Sequence, residues 1–413
     1  MQPASESPAE GRFAAFGHAS FLRYWLARFA TTFATNVVSV AVGWQVYDLT
    51  RDPFDLGLVG LVQFFPALAL VLVTGAVADR YGRRTIMGVT SIVEAGCAAA
   101  LLYLSWRGLT SPLPIFALLL VFGIARAFFW PASASLVANL VPEKDFANAV
   151  AWNSSAWQTA SIVGPAAGGL LYGVSAEVAY GSAAAAMLAA GLLVLSIPRP
   201  AQRSSAQRAN WADVLGGFNY IWREKVVFGA ISLDLFVVLL GGVVALLPVF
   251  ARDILVLGPW GLGLLRAAPG VGALIVALWL SGGPIRDRAG YVMFVGVALF
   301  GGFNFVFGLS TWAWLSIAML AAAGAADMVS VYIRETLIQI WTPDELRGRV
   351  NAVNMVFVGA SNELGEFRAG TMAAFIGTVP AVVFGGVGAI AIAGLWIVLF
   401  PQLAGVRRLD KRI

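Results

Sequence analysis

Long, continuously apolar stretches recur through the whole chain, and they constrain its fold more than any other feature. Two examples are 113–124 and 389–400, which lack the residue-by-residue alternation of a strand in a membrane barrel. A helical bilayer crossing needs about 20 apolar residues, so the 413 residues of the chain have room for about a dozen crossings. Only 12% of the residues are charged, against about 25% in soluble proteins. The sequence therefore predicts an all-α polytopic membrane protein.

Twelve candidate crossings, in two sets of six, account for most of the chain. A polar, arginine-rich segment at 198–225 separates the sets and is predicted to be a cytoplasmic linker. Residues 1–21 and 402–413 are predicted tails, and the two helical bundles then cover 22–197 and 226–401. The predicted helices are 22–47, 55–78, 85–106, 113–140, 147–173 and 178–197, followed by 226–251, 258–281, 290–309, 312–338, 349–376 and 380–401.

The distribution of basic residues between the crossings predicts the orientation of the chain. Most of the 27 basic residues lie in the tails and in the connections on the same side as the tails. The connections on the other side hold only Arg51, Arg107 and Arg252. Because cytoplasmic loops of membrane proteins are enriched in Lys and Arg, both termini are predicted to be cytoplasmic.

The two predicted bundles share a sequence repeat. The stretches GAVADRYG at 75–82 and GPIRDRAG at 283–290 both fit the pattern G-x-x-x-D-R-x-G, after the second helix of each set. A second match, Pro142-Glu143 with Asn153 and Pro343-Asp344 with Asn354, follows the fourth helix of each set. An internal duplication of this kind predicts two halves related by an axis along the membrane normal, with a substrate path between them.

The first copy of the repeat carries a resemblance to a known family. The stretch GAVADRYGRR at 75–84 resembles the loop between helices 2 and 3 of the major facilitator superfamily. The resemblance implies that superfamily's fold, twelve transmembrane helices in two six-helix pseudo-symmetric bundles. It also implies a gate in which Asp79 pairs with basic groups and with the start of helix 11 while the protein is open to the outside. The alternative, that the arginines only fix topology, leaves Asp79 and both glycines unexplained. The gating candidates are Gly75, Asp79, Arg80, Gly82, Arg83 and Arg84 in the first copy, and Gly283, Asp287, Arg288 and Gly290 in the degenerate second copy.

The fifth predicted helix resembles the antiporter motif found on helix 5 of exporters in the same superfamily. This likeness favours export over uptake, and the alternative is close helix packing alone. The stretches at 130–135, 264–273 and 339–352 are similar to bacterial exporters of the enterobactin-exporter type. That similarity implies proton-coupled export of a siderophore-like metabolite or a drug across a bacterial cytoplasmic (inner) membrane. The antiporter-motif candidates are Gly164, Pro165, Gly168 and Gly169.

Ionisable residues inside the predicted crossings are scarce, and each is costly unless it faces a cavity or an opposite charge. Arg126 lies in the middle of helix 4, where it either pairs with Glu94 or takes part in substrate binding or coupling. Glu363 and Glu366 lie one turn apart on helix 11, so each discourages ionisation of the other and the pair can hold a proton. The alternative is a permanent ion pair of these carboxylates with Arg368 or Arg126. The coupling or substrate candidates are Arg126, Glu363, Glu366, Arg368, Asp327, Glu94 and Asp234.

Other polar and aromatic residues in the crossings receive simpler interpretations. Arg28, Arg334 and Glu335 lie near predicted helix ends, and their charged groups are expected to reach the membrane surface. His18 is expected to be an exposed residue without a role. Aromatic and amide side chains on helices 1, 2 and 5 can line a cavity for a large amphipathic ligand. These lining candidates are Asn36, Gln63, Trp152, Asn153, Trp157 and Gln158.

Several functional classes are disfavoured. One Cys and one His exclude a metal site built from those residue types, and no cofactor is expected. An enzyme is not expected, because the chain lacks a Ser-His pairing and a Walker loop. No nucleic-acid partner is expected, since the basic residues are spread over short loops. The expected partners are a small-molecule substrate, protons and the lipid bilayer, and the expected oligomeric state is a monomer. Multidrug or antibiotic efflux and lipid flipping remain alternative functions.

Overall fold

The computed structural model describes residues 11–199, 211–283, 285 and 287–409, except for the side chains of 71, 72, 76, 78, 79 and 211–215. Within these ranges the chain is built from long α-helices and contains no strand. The first half comprises α1 (Ala19–Thr50), α2 (Pro53–Arg80), α3 (Arg83–Trp106), α4 (Leu113–Leu136), α5 (Phe146–Val174) and α6 (Ala176–Leu195). An amphipathic helix, α7 (Trp211–Arg223), follows within the predicted linker.

The second half repeats the six-helix arrangement of the first, with one crossing interrupted. Its helices are α8 (Lys225–Gly241), α9 (Leu247–Val249), α10 (Gly258–Gly282), α11 (Ala289–Leu309), α12 (Ala313–Trp341), α13 (Asp344–Ile376) and α14 (Thr378–Leu399), and the short α15 (Pro401–Ala404) follows. The segment Lys225–Ile254, which holds α8, α9 and a π-helical turn at Phe250–Ile254, is long enough to make one crossing.

Ten of these segments are long and apolar enough to span a membrane by length and composition. The other two long helices, α5 with 29 residues and α13 with 33 residues, occupy the fifth crossing position of each half. Neither has an apolar stretch that meets this criterion, and both contact the opposite half of the molecule, α5 against α10 and α13 against α2. The predicted all-α membrane fold is confirmed, and the predicted count of twelve helices is compatible with it.

The prediction of one continuous helix over 226–251 is wrong. Helix α8 ends at Gly241, and the chain resumes in a 3-10 turn at Val244–Leu246 before α9 begins. Pro248 has no amide hydrogen to continue the helical pattern, and glycine at 241 and 242 disfavours a helix interior. The Arg368 guanidinium donates hydrogen bonds to the carbonyls of Leu239 and Leu240, which a helix end leaves without intrahelical partners.

Each half has its own apolar core. In the first half, α1 packs against α5 and α6, and α3 packs against α4 and α6. In the second half, α11 packs against α12 and α14, while α8 packs against α13 and α14. Small residues permit close helix approaches, as where Gly386 of α14 meets the backbone of Gly301 in α11. The predicted division into two six-helix bundles matches this packing, and the predicted bundle boundaries remain predictions.

The helix ends lie on two opposite faces of the molecule, here called the terminal face and the opposite face. The terminal face carries the start of α1, the α2–α3 and α10–α11 connections and the end of α14. The opposite face carries the α1–α2 connection at 51–52, the α5–α6 connection and the segment between α9 and α10. Which face is cytoplasmic is a prediction from the arginine distribution.

The segment before α1 packs onto the terminal end of α5. The Arg12 carbonyl accepts hydrogen bonds from Trp152 Nε1 and Asn148 Nδ2, and the ring of Phe13 stacks on Trp152. His18 Nε2 lies 2.9 Å from Asp145 Oδ2, and the Asp145 side chain is buried. The expectation that His18 is an uninvolved exposed residue is therefore wrong, because it joins the start of α1 to the start of α5.

Candidate functional site

The two halves meet through glycine-rich helix contacts toward the opposite face. Helices α5 and α10 approach so closely that glycine is required at the contact. If Gly169 carried a β-carbon, that atom would lie only 2.8 Å from Gly263 Cα, and a β-carbon on Gly263 would lie 2.7 Å from the Pro165 carbonyl oxygen. Gly168 packs instead on Val37 of α1, at 3.0 Å from its Cα. The predicted antiporter-motif residues therefore lie in two packing interfaces, one within the first half and one between the halves.

A second contact between the halves joins α2 to α13. A β-carbon on Gly370 would lie 2.6 Å from the Pro53 carbonyl oxygen and 2.8 Å from Gly57 Cα. One turn farther toward the terminal face, a β-carbon on Gly60 would lie 2.6 Å from Glu363 Oε2 and 3.3 Å from Glu366 Oε2. Both predicted coupling carboxylates are thus packed against the backbone of the other half.

Charged side chains join the halves at the opposite face itself. Arg252 contacts Asp48 at the end of α1, and Arg51 Nη1 lies 3.3 Å from Asp253 Oδ1. The Tyr47 hydroxyl donates a hydrogen bond to Asp253. Sequence reasoning missed this network, hereafter the opposite-face network of Tyr47, Asp48, Arg51, Arg252 and Asp253. Its signal was available, because Arg51 and Arg252 are two of the few basic residues in the connections on that side and each has an acidic neighbour.

A cavity of about 270 Å³ lies inside the first half, between α1, α3, α4 and α5. Its wall combines two guanidinium groups, one carboxylate, several hydroxyls and three aromatic rings. The lining residues are Arg28, Thr31, Thr32, Thr35, Asn36, Ser39, Glu94, Arg126, Phe129, Trp130, Trp157 and Ser161.

The charged groups of this cavity are short of hydrogen-bond partners. Glu94 is fully buried, and neither of its carboxylate oxygens has a partner in the described part of the chain. Arg126 is near enough to attract that carboxylate, although no ion pair joins the two side chains in the described part of the chain. The Arg28 Nε and Thr31 Oγ1 atoms are also buried without partners. Buried polar atoms without partners are costly, so a polar ligand in this cavity would relieve that cost.

Arg28 does not reach the membrane surface, contrary to expectation. Its side chain is buried, and Nη1 donates a hydrogen bond to Ser133 Oγ at 2.9 Å. Its guanidinium lies 4.5 Å from the centroid of the Trp130 ring and 5.7 Å from that of Phe129, within range of a cation–π interaction. The aromatic rings of α4 thus hold this cation at the cavity wall.

Glu363 and Glu366 form one charged cluster with arginines from two other helices. Arg266 of α10 is near enough to attract both carboxylates, and Arg126 of α4 attracts Glu363. Arg266 Nη1 also donates a hydrogen bond to Ser39 Oγ, at 2.7 Å, on the wall of the cavity. Sequence reasoning gave Arg266 no role, although an arginine in the middle of a crossing is itself a signal.

The remaining coupling candidates lie elsewhere. Arg368 binds the carbonyls of Leu239 and Leu240 in α8, so the alternative of a permanent Arg368 pair with Glu363 or Glu366 is wrong. Asp234 forms a buried ion pair with Arg334, with Oδ1 2.9 Å from Nη2.

Asp327 lies within electrostatic reach of the Asp234–Arg334 pair. Arg334 therefore stays in the interior of the second half and does not reach the membrane surface as expected. Glu335 accepts a hydrogen bond from Asn354 Nδ2 at 3.1 Å, so it bonds to α13.

The lining candidates divide into two groups. Asn36 and Trp157 line the cavity. Trp152 does not, because its indole bonds to the Arg12 carbonyl on the terminal face. Asn153 Oδ1 lies 3.2 Å from the Tyr24 hydroxyl, and Gln63 Nε2 bonds to the Val59 carbonyl within α2. The side chain of Gln158 is half-buried on α5 and is absent from the described cavity wall.

The gating candidates lie on the terminal face. The side chain of Asp79 is outside the described part of the structure, so its predicted pairing stays a prediction. Arg80 is exposed, with its guanidinium 6.0 Å from the Tyr81 ring centroid, and Arg83 Nη1 donates to the Ser135 carbonyl at 3.1 Å. In the second copy, Asp287 accepts from the Arg288 amide at 2.9 Å, and Arg288 has a left-handed backbone, with φ of 53°.

The glycines of the two gating copies have different surroundings. A β-carbon on Gly75 or Gly283 would meet no atom within 4 Å, and one on Gly82 would meet only Thr85. Gly290 is packed tightly against the backbone of Leu403. Within the described residues no cluster of three or more His, Cys, Asp or Glu side chains could hold a metal ion.

Comparison with known proteins adds the family context. The family model described as transmembrane secretion effector matches residues 10–411. The enterobactin exporter EntS of Shigella boydii serotype 18 is 25% identical over 403 residues, which cover 96% of this chain and 95% of that protein.

Solved structures share the fold. A bacterial homologue of the human lysosomal transporter Spinster, in an inward-facing and occupied conformation, aligns with a TM-score of 0.72 and 15% identity, covering 93% of this chain and 95% of that one. A bacterial homologue of the iron transporter ferroportin, in an inward-facing state, aligns with a TM-score of 0.68 and 14% identity, covering 94% and 99%. The predicted likeness to major facilitator transporters is thereby confirmed.

Proposed function

Because the chain belongs to the transmembrane secretion effector family of major facilitator transporters, we propose that it exports a small amphipathic molecule that carries an acidic group. The cavity of the first half is the observation that supports this substrate class. Arg28 and Arg126 offer guanidinium donors to an anionic group, and Trp130 and Trp157 offer aromatic faces to an apolar body. A siderophore-like metabolite has both features, and the relative from Shigella boydii is an enterobactin exporter.

The proposed transport cycle is alternating access across a bacterial cytoplasmic membrane, with the terminal face in the cytoplasm. The contacts between α5 and α10, between α2 and α13 and within the opposite-face network all lie toward one side. This arrangement supports an inward-facing state in which the external side is sealed. Rocking of the halves breaks those contacts and opens the cavity to the outside.

Proton coupling is proposed to act through Glu363 and Glu366. The two carboxylates share one small space against Gly60 and are balanced by Arg266. Two ionised carboxylates beside one dominant cation leave unbalanced negative charge in a closed interface, so a bound proton favours the sealed state. A proton that binds from the outside thus promotes closure of the external side of the protein. Release of that proton to the inside restores the unbalanced negative charge and weakens the sealed state, so the substrate-loaded halves can open to the outside.

Transport in proteoliposomes tests the substrate assignment. Enterobactin is the probe, with its movement measured in vesicles that contain purified full-length protein. Arg126→Gln is expected to reduce transport at least about tenfold, since a charge-assisted hydrogen bond to the ligand is lost. Arg107→Gln, at the far end of α3, is the control and should retain normal rates. Equal transport by the Arg126 variant would refute the proposed cavity, and a panel of antibiotics in the same vesicles tests drug efflux instead.

The same vesicles test the coupling. An imposed proton gradient in the antiport direction is expected to accelerate export, and the double variant Glu363→Gln with Glu366→Gln should abolish the acceleration while substrate still binds. Glu345→Gln, an exposed carboxylate at the start of α13, is the matched control. Proton antiport through α13 is wrong if the double variant keeps the full acceleration.

A further inference from the structure

A second cavity, of about 290 Å³, lies on the terminal face of the first half, where α3 begins. It is separate from the central cavity, with which it shares no lining residue. Arg83, Arg84 and Arg199 line it together with Thr85 and Asn139. No acidic residue is among its described lining residues, so the charged groups on the described wall are all positive.

Several hydrogen-bond donors in this cavity lack acceptors. Arg84 Nε and Asn139 Nδ2 are buried and have no hydrogen-bond partner in the described structure. Arg83 uses one nitrogen for the Ser135 carbonyl and has further guanidinium donors. Because buried donors in native proteins nearly always find a partner, these atoms indicate a site for an acceptor that the described part of the chain does not provide.

The start of α3 adds backbone donors to the same cavity. Its N-cap residue is Gly82, which has no side chain to accept a hydrogen bond from the first turn. The first helical bond closes from the Ile86 amide to the Gly82 carbonyl at 3.0 Å, so the amides of Arg83, Arg84 and Thr85 have no intrahelical acceptor. The partial positive charge of a helix N-terminus favours an anion at this place.

The equivalent position in the second half shows what these donors need. There α11 begins at Ala289, within the second copy of the repeat, and the C-terminal segment returns to the start of this helix. The Gly290 amide donates to the Val406 carbonyl at 2.9 Å, and the Ala289 amide donates to the Arg407 carbonyl at 3.2 Å. In the first half the segment after α6 brings Arg199 to the corresponding place. Thus the second half supplies its own acceptors, whereas the first half supplies one more donor.

We propose that this cavity binds a phosphate group, either the headgroup of an anionic phospholipid or soluble phosphate. Guanidinium groups bind phosphate oxygens through paired hydrogen bonds, and the free amides of α3 bind a further oxygen. The site lies outside the proposed transport path, so it does not depend on the proposed substrate.

Thermal unfolding of the purified full-length protein in an uncharged detergent tests this proposal. Inorganic phosphate, dioctanoyl phosphatidylglycerol and dioctanoyl phosphatidylcholine are titrated separately at constant ionic strength. A saturable rise of the unfolding midpoint is expected with phosphatidylglycerol or with phosphate. A rise with phosphatidylglycerol alone identifies the lipid as the source, and a rise with both identifies the phosphate group as sufficient.

Variants locate the response. Arg199→Gln changes an exposed side chain and is expected to weaken the apparent affinity about tenfold, while addition of Arg84→Gln weakens it further. Arg107→Gln, at the other end of α3, is the control and should keep the wild-type affinity. The proposal is overturned if neither phosphate nor phosphatidylglycerol gives a saturable rise, or if the double variant responds as the wild type does.

Discussion

The opposite-face network should stabilise the inward-facing state of the proposed cycle relative to the outward-facing state, and the size of this effect can be worked out from the structure. Asp253 lies in the π-helical turn of the second half and binds Tyr47 in α1 and Arg51, the residue directly after α1. These contacts join the halves, so they stabilise only a state in which the opposite face is closed. Asp253→Asn removes the carboxylate charge and leaves the shape of the side chain nearly unchanged.

The size of the effect follows from the exposure of the groups. The Arg51 and Asp253 side chains are 52% and 40% exposed, and an ion pair screened to that degree contributes about 0.5 kcal/mol. Asn keeps an amide oxygen that accepts from the Tyr47 hydroxyl, so only the difference between a charged and a neutral acceptor is lost, about 1 kcal/mol. A total of about 1.5 kcal/mol corresponds to about a 10-fold shift of the equilibrium toward states with an open opposite face.

Distances between spin labels on the two halves measure this equilibrium. Labels are placed at Thr110 and Thr311, exposed residues in opposite-face connections of the first and second halves, after replacement of Cys97. The population with long label distances in lipid nanodiscs should rise for Asp253→Asn. Glu177→Gln, which alters a carboxylate at the start of α6 in the first half, is the control. An unchanged distance distribution in the Asp253 variant, or an equal change in the control, would refute the reasoning.

Three further predictions concern the packing around the site. Asp234→Asn leaves the Arg334 charge buried without its partner and should destabilise the protein by about 3 kcal/mol, seen as a lower midpoint of thermal unfolding in detergent. Gly263→Leu should abolish transport in vesicles and lengthen the opposite-face distances, because even a β-carbon there would lie 3.0 Å from Gly169 Cα. Arg368→Met should lower the unfolding midpoint, at a cost of about 2 kcal/mol for unpaired carbonyls, while the vesicles retain stimulation by the proton gradient.

Control variants and a second readout separate the expected effects from general effects of a substitution. Asp344→Asn removes an ion pair with Arg347 that is largely exposed, so its unfolding midpoint should hardly change. Gly282→Leu lies at the other end of α10, where a β-carbon would meet no atom within 4 Å, and transport should persist. Loss of proton stimulation in a stable Arg368 variant would show that Arg368 takes part in coupling and is more than a partner for the α8 carbonyls.

The interrupted seventh crossing and the position of Arg368 show where sequence reasoning reached its limit. The apolar run predicts a crossing over 226–251, but such a run has the same sequence pattern whether its helix is continuous or broken. The break is stabilised by a guanidinium from α13, more than a hundred residues later in the chain. Such a bond depends on which helices become neighbours in the fold, and the local sequence around 241 does not indicate those neighbours.

Much of the candidate site was predictable because charge inside a membrane is costly. Arg126, Glu94, Glu363 and Glu366 stand out in apolar helices for that reason. The structure places Glu363, Glu366 and Arg126 at or beside the contact between the halves and Glu94 in the cavity of the first half. Arg266 stood out equally and received no role, since nothing in its own helix indicates the carboxylates that it faces. The opposite-face network was missed because its residues lie at helix ends or directly after one, and the sequence does not show which of these ends meet across the two halves.

Hydrophobic length and repeated motifs are local properties of the chain, so they were enough to predict a helical membrane protein of two repeated halves. They also indicated which few charged residues must find partners away from lipid. The partners themselves could be read only from the folded chain: Asp234 lies against Arg334, backbone carbonyls bind Arg368, and Arg266 lies near the carboxylates of α13. A buried charge is stabilised by groups within a few ångströms, and helices distant in sequence supply those neighbours.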